Sequence, residues 1–145
     1  MREIIEHDAV LLNLPKFEEF VSEAAKRFGF KNSTIMQIEL AIEEIIVNII
    51  SYAYPNGELG KIKLSRLEHE KGVLAFQIED NGTPFNMLEV AKPDLSQPVE
   101  TRDIGGLGIF LARQFMDEIE YKRENNKNIL ILTKNNNGEK NENNI

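Results

Sequence analysis

A two-layer α/β sandwich of the α+β kind, with one largely antiparallel mixed sheet and helices on a single face, is the fold these residues predict. Three observations carry it: two early stretches of helical apolar spacing, a pair of alternating strands at mid-chain, and a closing hairpin that follows a third helical stretch. Helices grouped together and strands joined by hairpins, rather than a strict β–α alternation, mark that class. The chain has 145 residues, and a domain of ~150 residues buries roughly 68–70% of its unfolded surface, enough for one solid core. One domain is expected over residues 1–134. Residues 135–145 are Asn-rich, lack an apolar face and read as a disordered tail.

Each element has a local reason. Residues 9–14 look like a short strand closed by Pro15. Residues 16–28 read as a helix, because Phe17, Phe20, Val21, Ala24 and Phe28 fall on one face and Gly29 is a stop. A longer helix is predicted over 34–54. Thr34 with Gln37 fits a capping box, and Pro55 with Asn56-Gly57 ends the run. Residues 61–67 and 73–80 alternate as strands around Glu70-Lys71-Gly72. From 86 to 104 no period is visible and Pro93 and Pro98 interrupt, the pattern of a lid or a disordered loop. Helical spacing returns over 107–116. Residues 118–123 and 128–133 form the last hairpin around Asn125-Asn126-Lys127.

Composition narrows the chemistry. Lys and Arg total 17 against 24 for Asp and Glu, a net charge of −7. Nucleic-acid affinity rests largely on phosphate neutralisation, so direct nucleic-acid binding is not expected. There are no cysteines and two histidines, His7 and His69. That excludes disulfides, thiolate zinc sites and cysteine nucleophiles, and leaves too few imidazoles for a zinc site or a His-based triad. No apolar run approaches the ~20 residues that span a bilayer. The first residues carry acids where a secretory signal needs an apolar stretch, so a cytoplasmic location and no membrane contact are expected.

Three places carry chemistry. On the long helix, Gln37, Glu44, Asn48 and Ser51 fall within a sector of roughly 60° on an otherwise apolar surface. Glu44 and Asn48, one turn apart, can present their side-chain oxygens together. A carboxylate beside an amide oxygen suits a hard cation such as Mg²⁺, or the carboxylate can serve as a base. A plain solvated helix face is the competing reading. At the end of the second strand, alternation puts Asp80 in phase with Leu74, Phe76 and Ile78. Asn81-Gly82 and Thr83-Pro84-Phe85 follow, with no alternating strand to make a hairpin. A turn that aims Asp80 into a pocket fits better, and a buried carboxylate there is one way to accept the exocyclic amine of adenine. The third place is Gly105-Gly106-Leu107-Gly108 before a helix. Glycines let backbone N–H groups approach a phosphate, and a helix start adds partial positive charge. A flexible hinge would look the same.

In this order and spacing the three segments resemble the GHKL ATPases, the family of gyrase and the histidine kinases. The N-box is Glu44-Ile-Ile-Val-Asn48, the G1 box Asp80-Asn-Gly82-Thr-Pro-Phe85 and the G2 box Gly105-Gly-Leu-Gly108. Within the family the chain is most similar to the anti-sigma factor serine-protein kinases of bacterial partner-switching systems. The tract Ile-Gly-Gly-Leu-Gly-Ile-Phe-Leu-Ala-Arg-Gln-Phe-Met-Asp-Glu-Ile and the terminal hairpin carry that likeness. The resemblance spans about residues 10–134.

It implies a Bergerat (histidine-kinase-like ATPase) fold holding ATP and Mg²⁺ between the helices and the lid. Asn48 would coordinate Mg²⁺, and Glu44 would be the catalytic base for a substrate serine. Asp80 would receive the adenine amine, with Gly82 leaving room for the ring and Phe85 closing the box. Gly105, Gly106, Leu107 and Gly108 would line the phosphates, and Arg102 would reach the γ-phosphate or a partner. The implied partners are a STAS-domain anti-anti-sigma protein, a sigma factor and a second copy in a homodimer. Two positions depart from the family pattern. Tyr52-Ala53-Tyr54 stands where His-Ala-Tyr is common, and Asp103-Ile104 separates Arg102 from the glycines. Two functional classes follow: an ATP-dependent serine-protein kinase, or an ATP-binding interaction module that sequesters a partner without transfer. Glu44 favours the kinase, since a pure docking module has no need of a base there.

Overall fold

The computed structural model describes residues 3–89 and 104–136. Five strands form one sheet: β1 (Glu3–Asp8), β2 (Lys61–Leu67), β3 (Val73–Asp80), β4 (Glu118–Glu124) and β5 (Lys127–Asn135). Their order is β1-β2-β3-β5-β4, and every neighbouring pair is antiparallel. Three helices accompany them: α1 (Leu14–Phe28), α2 (Asn32–Tyr52) and α3 (Ile104–Phe115).

All three helices lie on one side of the sheet, because they share a core with one alternate set of strand residues. Phe17, Val21 and Ala24 of α1 join Ile38, Ile42, Ile45, Ile46 and Ile49 of α2, and Ile109 and Ala112 of α3. Against them stand Ile62, Leu64, Leu74, Phe76, Ile78, Leu130 and Leu132. The period of two in β2, β3 and β5 supplies that apolar face. The α/β sandwich with helices on a single face is therefore the observed architecture.

The hairpins follow the local signals. Gly72 turns β2 into β3 at φ 85°, and Asn125 and Asn126 take φ of 52° and 62° between β4 and β5. Two left-handed residues in a two-residue loop match the twist of the flanking strands, and Asn tolerates that conformation. Lys127 already belongs to β5, so the turn is one residue shorter than expected. β5 also runs to Asn135, one residue into the expected tail. Residues 137–145 lie outside the described residues.

Three expectations need correction. Residues 9–14 are not a strand: the first strand is Glu3–Asp8, and the apolar run after it bends through a 3-10 turn at Leu11–Asn13 into α1. Leu12 is 86% exposed, with no sheet beside it. Pro15 does not close a strand but sits in the first turn of α1, where its missing N–H costs nothing. The Asn13 amide donates to the Asp8 carbonyl at 3.0 Å and holds the bend. The capping box is absent as well, since α2 begins at Asn32 after an extended Lys31 and no side chain caps it. Thr34 is buried in the first turns instead. Finally, α3 begins at Ile104, so the glycine tract lies inside its first turns rather than ahead of it. Gly29, by contrast, is the α1 stop as read, at φ 100° with its N–H on the Ala25 and Lys26 carbonyls.

Candidate functional site

The three chemistry-bearing segments meet along α2. A Cβ placed on Gly108 would strike the Glu44 carboxylate oxygen Oε2, so the glycine lets α3 close onto α2 at that point. Near the other end, a Cβ on Gly82 would strike the Ala53 carbonyl oxygen. The Thr83 N–H donates to that same carbonyl at 2.8 Å. The Tyr54 hydroxyl donates to the Lys61 carbonyl at 2.5 Å and accepts from the Asn81 N–H at 3.0 Å. The turn after β3 is thereby bolted to the end of α2. From Glu44 to Ala53 the helix rises about 13 Å at 1.5 Å per residue. Asn48 lies between the two contacts, one turn from Glu44. The absence of a side chain at Gly82 thus serves the approach of turn to helix.

At the far end of that span Asp80 closes β3, opposite Ile62 and Asn128 in the sheet register. It is 5% exposed. Its Oδ1 accepts from the Gly82 N–H and from Asn128 Nδ2, both at 2.9 Å. Among the described residues no hydrogen bond reaches Oδ2. Burial pushes the Asp80 carboxyl above its ordinary value. The Asn128 amide, the Gly82 N–H and the Arg123 charge oppose that shift. Arg123 also donates to the Gly82 carbonyl at 3.0 Å, tying β4 to the turn. Phe85 is half-buried, its N–H donating to Asn128 Oδ1 at 3.2 Å and its ring 6.2 Å from that of Tyr52.

At the near end Glu44 is half-buried, and its carboxyl is raised by burial first and by the charge of Glu43 second. A carboxylate so placed holds a proton more readily than one in water, as a base for a hydroxyl requires. Asn48 is 8% exposed. Gly105 and Gly106 lie in the first turn of α3, where backbone N–H groups have no partner within the helix, and Leu107 follows them. The helix start also favours negative charge, so placing the glycines inside α3 preserves an anion-binding end. Arg102 lies outside the described residues, as does most of the expected lid; of that stretch only a 3-10 turn at Met87–Glu89 is described.

The donor set fits a shared cation rather than a caged one. Among the described residues no group of three or more His, Cys, Asp or Glu could hold a metal. One amide oxygen with a carboxylate a turn away suits Mg²⁺, which keeps waters and takes substrate phosphates as ligands.

Asn128, Tyr121 and Arg123 were not singled out from the sequence, and Tyr54 only as part of Tyr52-Ala53-Tyr54. Alternation does put Asn128 in phase with Leu130 and Leu132, an amide on an apolar face, which is a readable signal. Its pairing with Asp80 depends on strand register and is not readable.

Comparisons with known proteins agree with this fold. The histidine kinase-like ATPase domain family matches residues 9–134. The serine-protein kinase RsbW of Listeria monocytogenes serovar 1/2a is 33% identical over 125 residues, covering 79% of this chain and 79% of that protein. The RsbW of Oceanobacillus iheyensis is 29% identical over 138 residues, covering 87% of this chain and 85% of its own. Among solved structures, the RsbU and RsbW domains of a Mycobacterium tuberculosis protein superpose with a TM-score of 0.65 at 17% identity. That match covers 93% of this chain and 32% of the other. A histidine kinase domain from Erythrobacter litoralis gives 0.52 at 15% identity, over 84% and 60%. Among the described residues no helix is long and apolar enough to cross a membrane.

Proposed function

The chain belongs to the histidine kinase-like ATPase family, among its anti-sigma serine-protein kinases, and on that premise we propose that it phosphorylates a serine of a STAS-domain anti-anti-sigma protein. In this reading it otherwise holds a sigma factor and works in the cytoplasm as a homodimer. The observation that carries the catalytic part is the meeting of Glu44 with Gly108, one turn from Asn48. That contact sets a carboxylate raised by burial beside the first turns of α3, which supports a base close to where phosphate would bind.

Asp80 would take the adenine amine on Oδ2, its other oxygen being engaged already. Asn48 would hold Mg²⁺ with its side-chain oxygen, and the N–H groups of Gly105 and Gly106 would face phosphate oxygens, with Leu107 and Gly108 lining them and Arg102 at the γ-phosphate. Mg-ATP supplies the transferable phosphoryl group, with the cation offsetting its charge. Glu44 would accept the serine hydroxyl proton as the serine oxygen bonds to the γ-phosphorus and the bond to ADP breaks. A docking module without transfer would share the adenine contacts but leave Glu44 without a task.

The test is to isolate the protein with whatever it binds, add Mg-ATP and map phosphoserine on the partner by mass spectrometry. Phosphoserine on a STAS-domain protein is the expected result. Stable binding of ATP and of the partner without any phosphoserine would make the docking module correct.

A further inference from the structure

We propose that Asn128, on the β4–β5 hairpin, is the positioning residue that sets base specificity: it holds Asp80 as an acceptor, so the site prefers a base carrying an exocyclic amine over one carrying a carbonyl. The inference rests on the reading that Asp80 meets the base. Its support is geometric. Asn128 is 4% exposed, and every hydrogen-bonding position of its amide is engaged. Nδ2 donates to Asp80 Oδ1 at 2.9 Å and to the Thr83 carbonyl at 2.8 Å. Oδ1 accepts from the Phe85 N–H at 3.2 Å and the Tyr121 hydroxyl at 2.6 Å.

Two of those partners fix which end of the amide is which. The Phe85 N–H can only donate and the Thr83 carbonyl can only accept, so the amide cannot flip without losing both bonds. Its N–H is therefore committed to Asp80 Oδ1, and that oxygen must be an acceptor. Any proton taken up by Asp80 goes to Oδ2, which would turn the oxygen that no described residue engages into a donor. A donor there suits a purine with a carbonyl at the 6-position, and an acceptor suits adenine.

The surroundings pull Asp80 in opposite directions. Burial favours its protonated form, while the Asn128 and Gly82 N–H groups and Arg123 from β4 favour the anion. Among the described residues two hydroxyls also stand near, Tyr54 just beyond α2, which interacts with Asp80, and Tyr121 on β4, which donates to Asn128. The Asn128 and Gly82 N–H groups both hold Oδ1 as an acceptor, and Asn128 is the side chain of the pair, the one a substitution can remove. A site built to hydrogen-bond one group rejects analogues lacking it far better than an apolar pocket does.

The experiment compares Asn128→Thr with Asn128→Val, side chains of one shape that differ by a hydroxyl. Mg-ATP and Mg-GTP affinities are measured by calorimetry from acid to neutral pH, with Asp80→Asn as control. The Thr variant, keeping a donor toward Asp80, is expected to retain an ATP-over-GTP preference at least about tenfold greater than the Val variant. In the Val variant the loss of ATP affinity at acid pH should begin at higher pH than in the native protein. Equal preference and equal pH profiles in the two variants would overturn the role of Asn128, provided Asp80→Asn abolishes the native preference. If Asp80→Asn leaves the preference intact, the base reading itself fails and the inference falls with it.

Discussion

At the end proposed to hold the base, Asp80, Gly82, Thr83, Phe85, Tyr121 and Asn128 share a closed set of hydrogen bonds drawn from β3, β4, β5 and the turn after β3. At the end proposed to face phosphate, Glu44 meets Gly108 across a helix crossing, and its carboxyl is left in contact with a backbone that has no side chain. The first end is braced from four directions before any ligand arrives. The second presents a carboxylate, an amide and a helix start, groups that need a charged ligand to complete them. Selecting a base requires fixed donors and acceptors, whereas transfer requires a carboxylate able to change its protonation. The difference in construction matches that division of labour.

The two glycines give the sharpest way to break the comparison. Gly82→Ala forces a methyl group into the Ala53 carbonyl, a backbone atom that cannot step aside. It should cost stability at the upper end of the ~1–3 kcal/mol typical of overpacking, and weaken nucleotide binding with it. Denaturant unfolding and calorimetry on the same preparation check this. Gly108→Ala presses instead on the far end of the flexible Glu44 side chain. Helix propensity favours Ala over Gly by ~0.8–1.0 kcal/mol, so stability should hold or rise slightly. Displacing the carboxylate should still slow phosphotransfer, on the order of 10²-fold. Equal stability losses at the two positions would erase the distinction between the ends.

What could be read in advance follows the range of the signal. The β2–β3 and β4–β5 hairpins were legible because alternation and turn residues act over a few positions, and Glu44 and Asp80 because each breaks the apolar phase of its own element. β1 was missed because an edge strand ending in Glu-His-Asp has little alternation, and Val10-Leu11-Leu12 beside Pro15 imitates a strand end. The start of α3 was missed because glycines disfavour helix, and here packing of Gly108 on Glu44 overrides that preference. Asn128 was missed for a different reason. Its partner Asp80 is 48 residues away, and only the β3–β5 register joins them.

The smallest effect concerns pH. The Glu44 carboxyl lies above its ordinary value of 4.5 in the folded chain, so the native state binds that proton more tightly than the unfolded state does. Its contribution to stability therefore declines as pH rises from 4.5 through the raised value. Glu44→Gln has no such term. Melting temperature measured against pH should show the variant slightly more stable than the native protein at neutral pH, with the gap closing as pH falls through the raised value toward 4.5. A gap that widens toward acid pH would mean that Glu44 is stabilised in its charged form.

The separation of holding from transfer is tested most directly by single-turnover phosphorylation of a cognate STAS protein by Glu44→Gln at saturating Mg-ATP, with ATP affinity measured on the same preparation. Loss of the base should slow phosphoserine formation by roughly 10²–10⁴-fold while ATP affinity stays near native. Transfer at the native rate, or a parallel collapse of affinity and transfer, would contradict the assignment of chemistry to the Glu44 end and of nucleotide selection to the Asp80 end.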